Sequence, residues 1–248
     1  MKRHLVASSA VARSFAARRF FAPLLLALVA LAAFSLLVPT ARGAEAWTEG
    51  RHYFRIDSAK RTSTAPGTVE VMEVFSYGCP ACFQFTPVAN KLKVALPANA
   101  KMVFLPAAFN TAEDWPMFQR AYIAAQLLGV ADKAHDAVFD AVWKGGELAV
   151  SDPNTHQLRR PLPSIEDAAR FYNKKTGVAV DKFVSAANSF SVDVKIKAAD
   201  DLITAYQVDR TPTIIVNGKY RLHAESAGGY DQLIELVKFL VAKESAAK

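Results

Sequence analysis

Cysteine is scarce in this chain: the 248 residues include only Cys79 and Cys82, which flank Pro80 and Ala81. This scarcity excludes several kinds of site. A structural zinc ion needs about four ligands, and the sequence has no second cysteine pair and no histidine pair at ligand spacing. A covalently attached c-type haem needs histidine directly after the second cysteine, where this chain has Phe83. The pair therefore acts through its own sulfur chemistry or forms a structural disulfide.

A disulfide that only staples the fold is one alternative for this pair. Closing so short a loop stabilises a protein by roughly 2 kcal/mol, compared with about 3 kcal/mol for a 15-residue loop. A chain that needs a staple gains more by joining distant segments. The spacing therefore favours a redox-active pair, with the structural staple as the alternative.

Acidic residues are absent from residues 1–43, whereas six basic residues lie there. An apolar run over 20–38 follows the basic opening, and the small residues of ARGAEAW come after it. This order is typical of a secretory signal peptide over 1–43, cleaved near Gly43/Ala44 or at Ala46. The run also approaches the ~20 residues of a membrane span, so an uncleaved anchor is the alternative. We therefore expect an exported protein.

A surplus of positive charge is also missing once this leader is set aside. The whole chain has 30 basic and 23 acidic residues, and six of the basic ones lie in 1–43. The remaining 24 against 23 leave a formal charge of +1. Nucleic-acid binding is therefore not expected. The 205 residues after position 43 suit one domain of ordinary size.

Hydrophobic patterns predict the order of secondary structure in the rest of the chain. They predict, in order, a strand over 68–77, a helix from Cys79 to about Leu96, a strand over 101–109, helices from Thr111 to about Tyr206, a hairpin over 211–222 and a last helix from Gly229. Ser164 and Asp167 have capping-box spacing, which predicts a helix that ends at Gly177. Asn217-Gly218 is a strong hairpin turn signal. The strands before and after the helical block are expected to join one sheet.

The predicted helix start at Cys79 explains how the pair would react. Backbone N–H groups at a helix N-terminus are unpaired and carry a partial positive charge. They stabilise a thiolate at Cys79, so its pKa falls below the ~8.5 of free cysteine. Cys82 lies one turn further along, less exposed but close enough to bond to Cys79. Because a stable thiolate favours the reduced pair, the disulfide becomes a stronger oxidant.

Three segments carry a family resemblance: EVFSYGCPACFQF, LLGVADKAHDAVFDAVWK and ITAYQVDRTPTIIVNGKYRL. They resemble the DsbA-type oxidants of the thioredoxin superfamily, and the similarity covers nearly all of the chain from about residue 48. The resemblance implies an α/β (α+β) protein, a thioredoxin fold with an inserted α-helical domain. The thioredoxin fold would then consist of two segments, 44–110 and 207–248, and the helical domain over 111–206 would be inserted between them. The resemblance also implies that Thr211-Pro212 forms a cis peptide facing Cys79 and offers backbone groups to an extended substrate.

The same resemblance implies a periplasmic thiol:disulfide oxidoreductase that donates the Cys79–Cys82 disulfide to reduced exported proteins during oxidative folding. Pro80 and Ala81 would support the active site. A membrane quinone-linked partner resembling DsbB would reoxidise the pair. No metal or organic cofactor is implied, because the two cysteines carry the electrons. We also expect a monomer whose mature chain does not span the membrane.

Two positions depart from the family pattern, and a third matches a buried acid of the family. Ala81 stands where DsbA commonly has histidine, which predicts a weaker oxidant. Thr211 stands where DsbA commonly has valine and where relatives that reduce or isomerise have threonine, so the redox direction stays open. Glu73 stands where the family has a carboxylate beneath the active site, which could mediate proton transfer to Cys82. As an alternative, Glu73 faces solvent. Glu70 and Glu73 have opposite parity, so on a one-sided strand at least one is expected to be exposed.

Two other functions are consistent with the sequence. A reductase or isomerase of the same fold would run the exchange in the opposite direction. Known isomerases of the superfamily add an N-terminal dimerisation domain, for which the roughly 20 residues between cleavage and the first strand leave no room. A peptide-binding chaperone would use the same groove and keep its function without the cysteines. Cysteine replacement therefore separates a chaperone from an oxidoreductase, and the reduction potential separates oxidase from reductase.

Overall fold

The computed structural model describes residues 47–57, 60, 62–152 and 154–247. The predicted signal peptide and its cleavage site lie outside these residues. From Trp47 onward the chain forms one compact unit. Within the described ranges, no helix is long and apolar enough to cross a membrane.

The predicted elements occur in the predicted order, together with a strand of 2 residues and a helix of 4 residues that the patterns did not predict. The strands are β1 Phe54–Arg55, β2 Val69–Phe75, β3 Ala100–Pro106, β4 Thr213–Val216 and β5 Tyr220–Leu222. The helices are α1 Pro80–Ala95, α2 Trp115–Leu127, α3 Ala131–Trp143, α4 Ile165–Thr176, α5 Val180–Ala187, α6 Phe190–Ala205, α7 Ala224–Ala227 and α8 Tyr230–Ala246. The second predicted strand ends earlier than expected, at Pro106.

The five strands form one sheet in the order β1-β5-β4-β2-β3. Strand β2 lies inside this sheet, parallel to β3 and antiparallel to β4. Strands β4 and β5 form the predicted hairpin. Its two turn residues, Asn217 and Gly218, have positive φ angles of 53° and 64°, as a type I′ turn requires.

Helices cover both faces of β2, so none of its seven residues is exposed. Helices α1 and α8 pack on the face that includes Val71. Helix α6 packs on the face that includes Met72 and Val74. Helices α2 to α5 enclose a further core, which Phe75 joins at the end of β2. The end of β2 therefore lies where the sheet meets the helical block.

The expectation that Glu70 or Glu73 faces solvent is wrong. Glu70 is 1% exposed and Glu73 is 2% exposed. The reason is that β2 is covered on both sides, so alternating side chains enter two different buried layers. Glu70 accepts hydrogen bonds from the backbone N and the Oγ of Ser63 at 2.7 and 2.5 Å. The carboxyl groups of Glu70 and Glu73 are therefore both buried, one on each face of β2.

The predicted boundaries of α4 are confirmed. Ser164 Oγ accepts from the backbone N of Asp167 at 3.2 Å, and the Asp167 carboxylate accepts from the backbone N of Ser164 at 2.8 Å. Gly177 ends the helix with a φ of 79°. The proline-rich loop before α4 also contains a cis peptide at Arg160–Pro161, for which the sequence carried no specific signal.

Candidate active site

Both cysteines lie at the turn from β2 into α1. Cys79 is the N-cap of α1, with an extended backbone (φ −87°, ψ 116°). Pro80 occupies the first turn of the helix, where its missing N–H removes no helical hydrogen bond. Ser76 closes the turn, because its carbonyl accepts from Cys79 N at 3.1 Å and its Oγ accepts from Gly78 N at 3.2 Å. The predicted place of Cys79 at a helix start is confirmed.

Donor groups surround the sulfur of Cys79, and both cysteines are free thiols in this structure. The backbone N of Cys82 donates to Cys79 Sγ at 3.3 Å. The pKa of Cys79 is lowered to about 6, first because the Cys82 thiol donates to it. Burial opposes this lowering, whereas the Thr211 side chain and the backbone N–H groups of Cys82 and Ala81 add to it. The lowered pKa agrees with the helix-terminus argument, although the largest cause is the partner thiol.

The environments of Cys82 and Glu73 favour their protonated forms. Burial raises the pKa of Cys82 well above that of free cysteine. The hydrogen bond that its thiol donates to Cys79 raises it further, and the charges of Cys79 and Glu73 add to this. Burial also raises the pKa of Glu73 to about 8, with added repulsion from Cys79 and Asp136. Glu73 is therefore a largely neutral acid at neutral pH, within electrostatic reach of both cysteines.

The loop before β4 faces the cysteine pair. The Thr211–Pro212 peptide is cis, as the family resemblance implied. Cys79 Sγ donates to the Thr211 carbonyl oxygen at 3.5 Å, although the two residues are 132 positions apart. Thr211 acts on both protonation states, because its carbonyl accepts from the thiol while its side chain stabilises the thiolate. Thr211 and Pro212 are half-buried, so some of this loop reaches solvent beside the sulfur.

Helix α3 contacts both the side-chain hydroxyl and the backbone carbonyl of Tyr77, which lies two residues before Cys79. His135 Nδ1 lies 3.0 Å from the Tyr77 hydroxyl. Trp143 Nε1 donates to the Tyr77 carbonyl at 2.8 Å. Sequence reasoning missed both contacts, because they join residues 58 and 66 positions apart and no local pattern announces them. Helix α3 therefore fixes the peptide that leads into the cysteine pair.

Aromatic side chains pack closely behind this turn. A Cβ atom at Gly78 would lie 2.4 Å from Trp115 Nε1, so a larger residue requires Trp115 to move. The Phe83 and Trp143 rings stack, with centroids 6.1 Å apart and an angle of 16° between their planes. Burial lowers the pKa of His135 to about 4, so this histidine is neutral at physiological pH.

The exposed first turn of α1 carries short, uncharged side chains. Pro80 and Ala81 are exposed on the first turn of α1. Ala81 acts on the Cys79 thiolate only through its backbone N–H. Among the residues that the structure describes, no group of three or more His, Cys, Asp or Glu side chains could hold a metal ion.

Known proteins resemble this chain over most of its length. The thioredoxin family model matches residues 63–236. The thiol:disulfide interchange protein DsbA of Pseudomonas aeruginosa strain PAO1 is 36% identical over 222 residues, which are 90% of this chain and 97% of the relative. The protein of the same name from Pseudomonas syringae pv. tomato is 37% identical over 218 residues, covering 88% of this chain and 94% of the relative.

Solved structures show the same likeness. The crystal structure of Pseudomonas aeruginosa DsbA has a TM-score of 0.68 at 36% identity, covering 82% of this chain and 97% of that one. The oxidoreductase DsbA from Xylella fastidiosa has a TM-score of 0.68 at 28% identity, covering 79% and 96%. The predicted thioredoxin fold with a helical insertion is confirmed.

The matched family and the fold are those of thiol:disulfide oxidoreductases, which pass disulfide bonds between thiol pairs. This chain belongs to the DsbA family, because relatives more than 30% identical match it over nearly their whole length. It is a protein thiol:disulfide oxidoreductase of oxidative folding, as predicted.

Proposed function

We propose that Cys79 and Cys82 carry the disulfide that this enzyme donates to reduced exported proteins. One observation carries the proposal, namely the opposite behaviour of the two thiols. The pKa of Cys79 is lowered to about 6, whereas that of buried Cys82 is raised. A stabilised Cys79 thiolate favours the reduced enzyme, so the oxidised pair passes its disulfide to other thiols.

The proposed exchange takes place in two steps. A substrate thiolate attacks Cys79 Sγ, the Cys79–Cys82 bond breaks, and its electron pair leaves on Cys82 Sγ. Glu73 then supplies a proton to Cys82, which its pKa of about 8 allows at neutral pH. In the second step, another substrate thiolate attacks the substrate sulfur of the mixed disulfide and releases Cys79 as a thiolate. The substrate loses two electrons, and the enzyme gains them.

The Thr211–Pro212 loop is the proposed docking place for the substrate backbone. Its carbonyl contact to Cys79 Sγ puts the loop within hydrogen-bond distance of the reacting sulfur. A substrate held there in an extended conformation presents its own sulfur to Cys79. Pro80 and Ala81 support the site from the other side by starting the helix and supplying a backbone N–H.

The direction of the reaction has a competing interpretation. Reference pKa values are about 7 for the thioredoxin nucleophile and about 3.5 for that of DsbA. The Cys79 value of about 6 lies between them. Together with Ala81 and Thr211, this value supports an oxidant weaker than the strongest members of the family. A reductase or isomerase of the same fold is the competing function.

The setting of the enzyme follows from its family. Reduced substrate proteins supply electrons, and a membrane partner, proposed to be DsbB-like and quinone-linked, removes them. We place the enzyme in the periplasm, as a monomer without a further cofactor, after cleavage near Gly43/Ala44 or at Ala46. In the proposed division, the two segments 44–110 and 207–248 form the thioredoxin fold, and 111–206 forms the inserted helical domain.

The test measures oxidation of a reduced dithiol peptide, together with the equilibrium of the enzyme with glutathione. The C79S and C82S variants should each lose steady-state oxidation. C82S should instead hold glutathione as a stable mixed disulfide at Cys79: Cys79 thiolate attacks oxidised glutathione, one glutathione thiolate leaves, and no second enzyme thiol remains to displace the other. The potential should lie between roughly −270 mV and roughly −120 mV, the values of thioredoxin and DsbA. A potential at or below the thioredoxin value identifies a reductase. Peptide binding that protects substrates equally well in both variants identifies a chaperone.

A further inference from the structure

A threonine and a histidine face each other at the active-site end of the β4–β5 hairpin. Ile214 pairs with Leu222 in this hairpin. One position further toward the cis-proline loop, the same register brings Thr213 opposite His223. Thr213 Oγ1 and His223 Nδ1 are 3.1 Å apart, and Thr213 is fully buried. The two side chains therefore form a cross-strand pair directly behind Thr211 and Pro212.

The partners of Thr213 determine which atom donates each hydrogen bond. Thr213 Oγ1 lies 2.7 Å from the carbonyl oxygen of Arg210, which can only accept. The single hydroxyl proton is used there, so Oγ1 accepts from a protonated Nδ1 of His223. Two hydrogen bonds thus run from His223 through Thr213 to Arg210. The bond from Thr213 to Arg210 closes the segment 210–213 on itself, with Thr211 and Pro212 inside it. The bond from His223 ties this segment to the end of β5.

We propose that Thr213 and His223 are positioning residues that hold Thr211 against Cys79 and hold its backbone in place for the substrate. This inference rests on the proposed function of the cysteine pair and of the loop. Neither residue touches the reacting sulfur, and both act through Thr211.

The geometry explains why Thr211 needs this support. The distance from Cys79 Sγ to the Thr211 carbonyl is 3.5 Å, and the bond joins segments 132 positions apart. Small movements of the loop therefore weaken the contact. Valine at position 213 has nearly the shape of threonine but leaves the Arg210 carbonyl and the His223 N–H without their partner. Serine keeps the hydroxyl and both hydrogen bonds.

The experiment compares T213V with T213S, and uses T176V as the matched control. Thr176 Oγ1 also donates to a backbone carbonyl, that of Tyr172, at 2.7 Å, but at the end of α4. We measure kcat and KM with a reduced dithiol peptide, and the Cys79 pKa from thiolate ultraviolet absorbance. T213V should raise KM about tenfold, the size expected when one hydrogen bond between the Thr211 backbone and the substrate is lost, with a smaller effect on kcat. It should also raise the Cys79 pKa, because the Thr211 side chain, which lowers that pKa, moves away from the sulfur. T213S and T176V should leave both KM and the Cys79 pKa near the wild-type values.

A second pair of variants tests the histidine, and decides the question if T213V does not fold. H223N keeps a side-chain N–H donor near the position of Nδ1, and H223L removes it. H223L should shift KM and the Cys79 pKa in the same direction as T213V, and H223N should not.

Unchanged KM and Cys79 pKa in folded T213V, or equal changes in T176V, would overturn the inference. Failure of the wild-type enzyme to oxidise the peptide would instead reject the proposed function. In that case the measured Cys79 pKa of the variants still decides whether Thr213 and His223 position Thr211.

Discussion

At the scale of single residues, different surroundings shift the pKa values of two chemically identical thiols in opposite directions. Cys79 and Cys82 are one helical turn apart, yet the pKa of the first is lowered and that of the second is raised. The difference arises because Cys79 accepts hydrogen bonds from the Cys82 thiol and from backbone N–H groups at the helix N-terminus, while Cys82 lies in the apolar interior. Glu73 follows the same rule as Cys82, since its burial favours the protonated acid.

The raised pKa of Glu73 predicts how stability changes with pH. The unfolded carboxyl group titrates near 4.5 and the folded one near 8, so the folded state retains the proton between these values. Stability therefore falls as pH rises through this window. Between about pH 5 and about pH 7.5, the reduced wild-type protein should lose about 3 kcal/mol of unfolding free energy relative to E73Q. Urea unfolding of both proteins at the two pH values measures the difference.

The control for this prediction is E70Q, which removes a carboxylate from the opposite face of β2. It should retain the pH dependence that Glu73 causes. Titration of Cys79 contributes to the wild-type protein and to both variants, so it largely cancels in the comparison. Equal slopes for wild type and E73Q would contradict the assignment of the raised pKa to Glu73.

The sequence was sufficient for some site residues and insufficient for others. The cysteine pair and Thr211-Pro212 could be predicted because short local motifs mark them. The pairing of Thr213 with His223 could not, because it depends on the register and end of a hairpin. The error on Glu70 and Glu73 has a physical cause as well. Burial of a strand depends on which helices cover it, and that information is not in the strand's own alternation.

At the scale of elements, helix α3 belongs to the helical block but contacts the turn that carries the cysteines. Its Trp143 satisfies the Tyr77 carbonyl, and its His135 meets the Tyr77 hydroxyl. A third contact joins α3 to α1, where Asn90 Nδ2 donates to Asp136 at 2.8 Å. The turn that carries the two cysteines is therefore held by both the sheet and the helical block.

Replacing Trp143 tests this connection. W143F keeps an aromatic ring beside Phe83 but removes the N–H that reaches the Tyr77 carbonyl. The unpaired carbonyl should lower the unfolding free energy by about 1–3 kcal/mol. Denaturant unfolding measures this loss. As a control, W115F removes an N–H that bonds only the half-buried Glu113 side chain, where water can replace it. A loss in W115F as large as that in W143F would argue against a special role for the Tyr77 contact.

Most elements were predictable because their signals are local. Asn217-Gly218 specified the hairpin turn, and Ser164 with Asp167 specified the start of α4. Contacts between elements were not predictable, because helix-to-turn contacts such as Trp143 to Tyr77 have no periodic signature. The sequence patterns therefore described the individual elements better than their arrangement.

At the scale of the whole molecule, the last helix is tied back to the sheet. Glu244 on α8 is 4% exposed, and its carboxylate accepts from Asn217 Nδ2 and Lys219 Nζ, both at 2.6 Å. Burial acts to raise the pKa of Glu244, but these bonds outweigh it and the pKa is lowered. Helix α8 is thus anchored to the hairpin turn, at the end of the hairpin remote from the cysteine pair.

The lowered pKa of Glu244 determines whether its contribution to stability grows or shrinks as pH falls. Ionised Glu244 stabilises the fold above its unfolded pKa of 4.5, and this contribution disappears as pH falls through the lower folded pKa. At neutral pH, E244Q should lose about 1–2 kcal/mol of unfolding free energy, and the loss should shrink in acid. The same substitution in the exposed Lys238–Glu235 pair, E235Q, should change stability by less than about 0.5 kcal/mol. Thermal unfolding of both variants over a range of pH measures these changes. A loss of unfolding free energy in E244Q that did not depend on pH would argue against the ion pair of Glu244.

The 132-residue separation between Cys79 and Thr211 has a consequence for biosynthesis. Synthesis proceeds from the amino terminus, so both thiols are made long before the loop that one of them meets. Until residue 211 is added, a growing chain has the sulfur pair without the opposing carbonyl and hydroxyl. The contact between Cys79 and Thr211 can therefore form only after residue 211 has been synthesised.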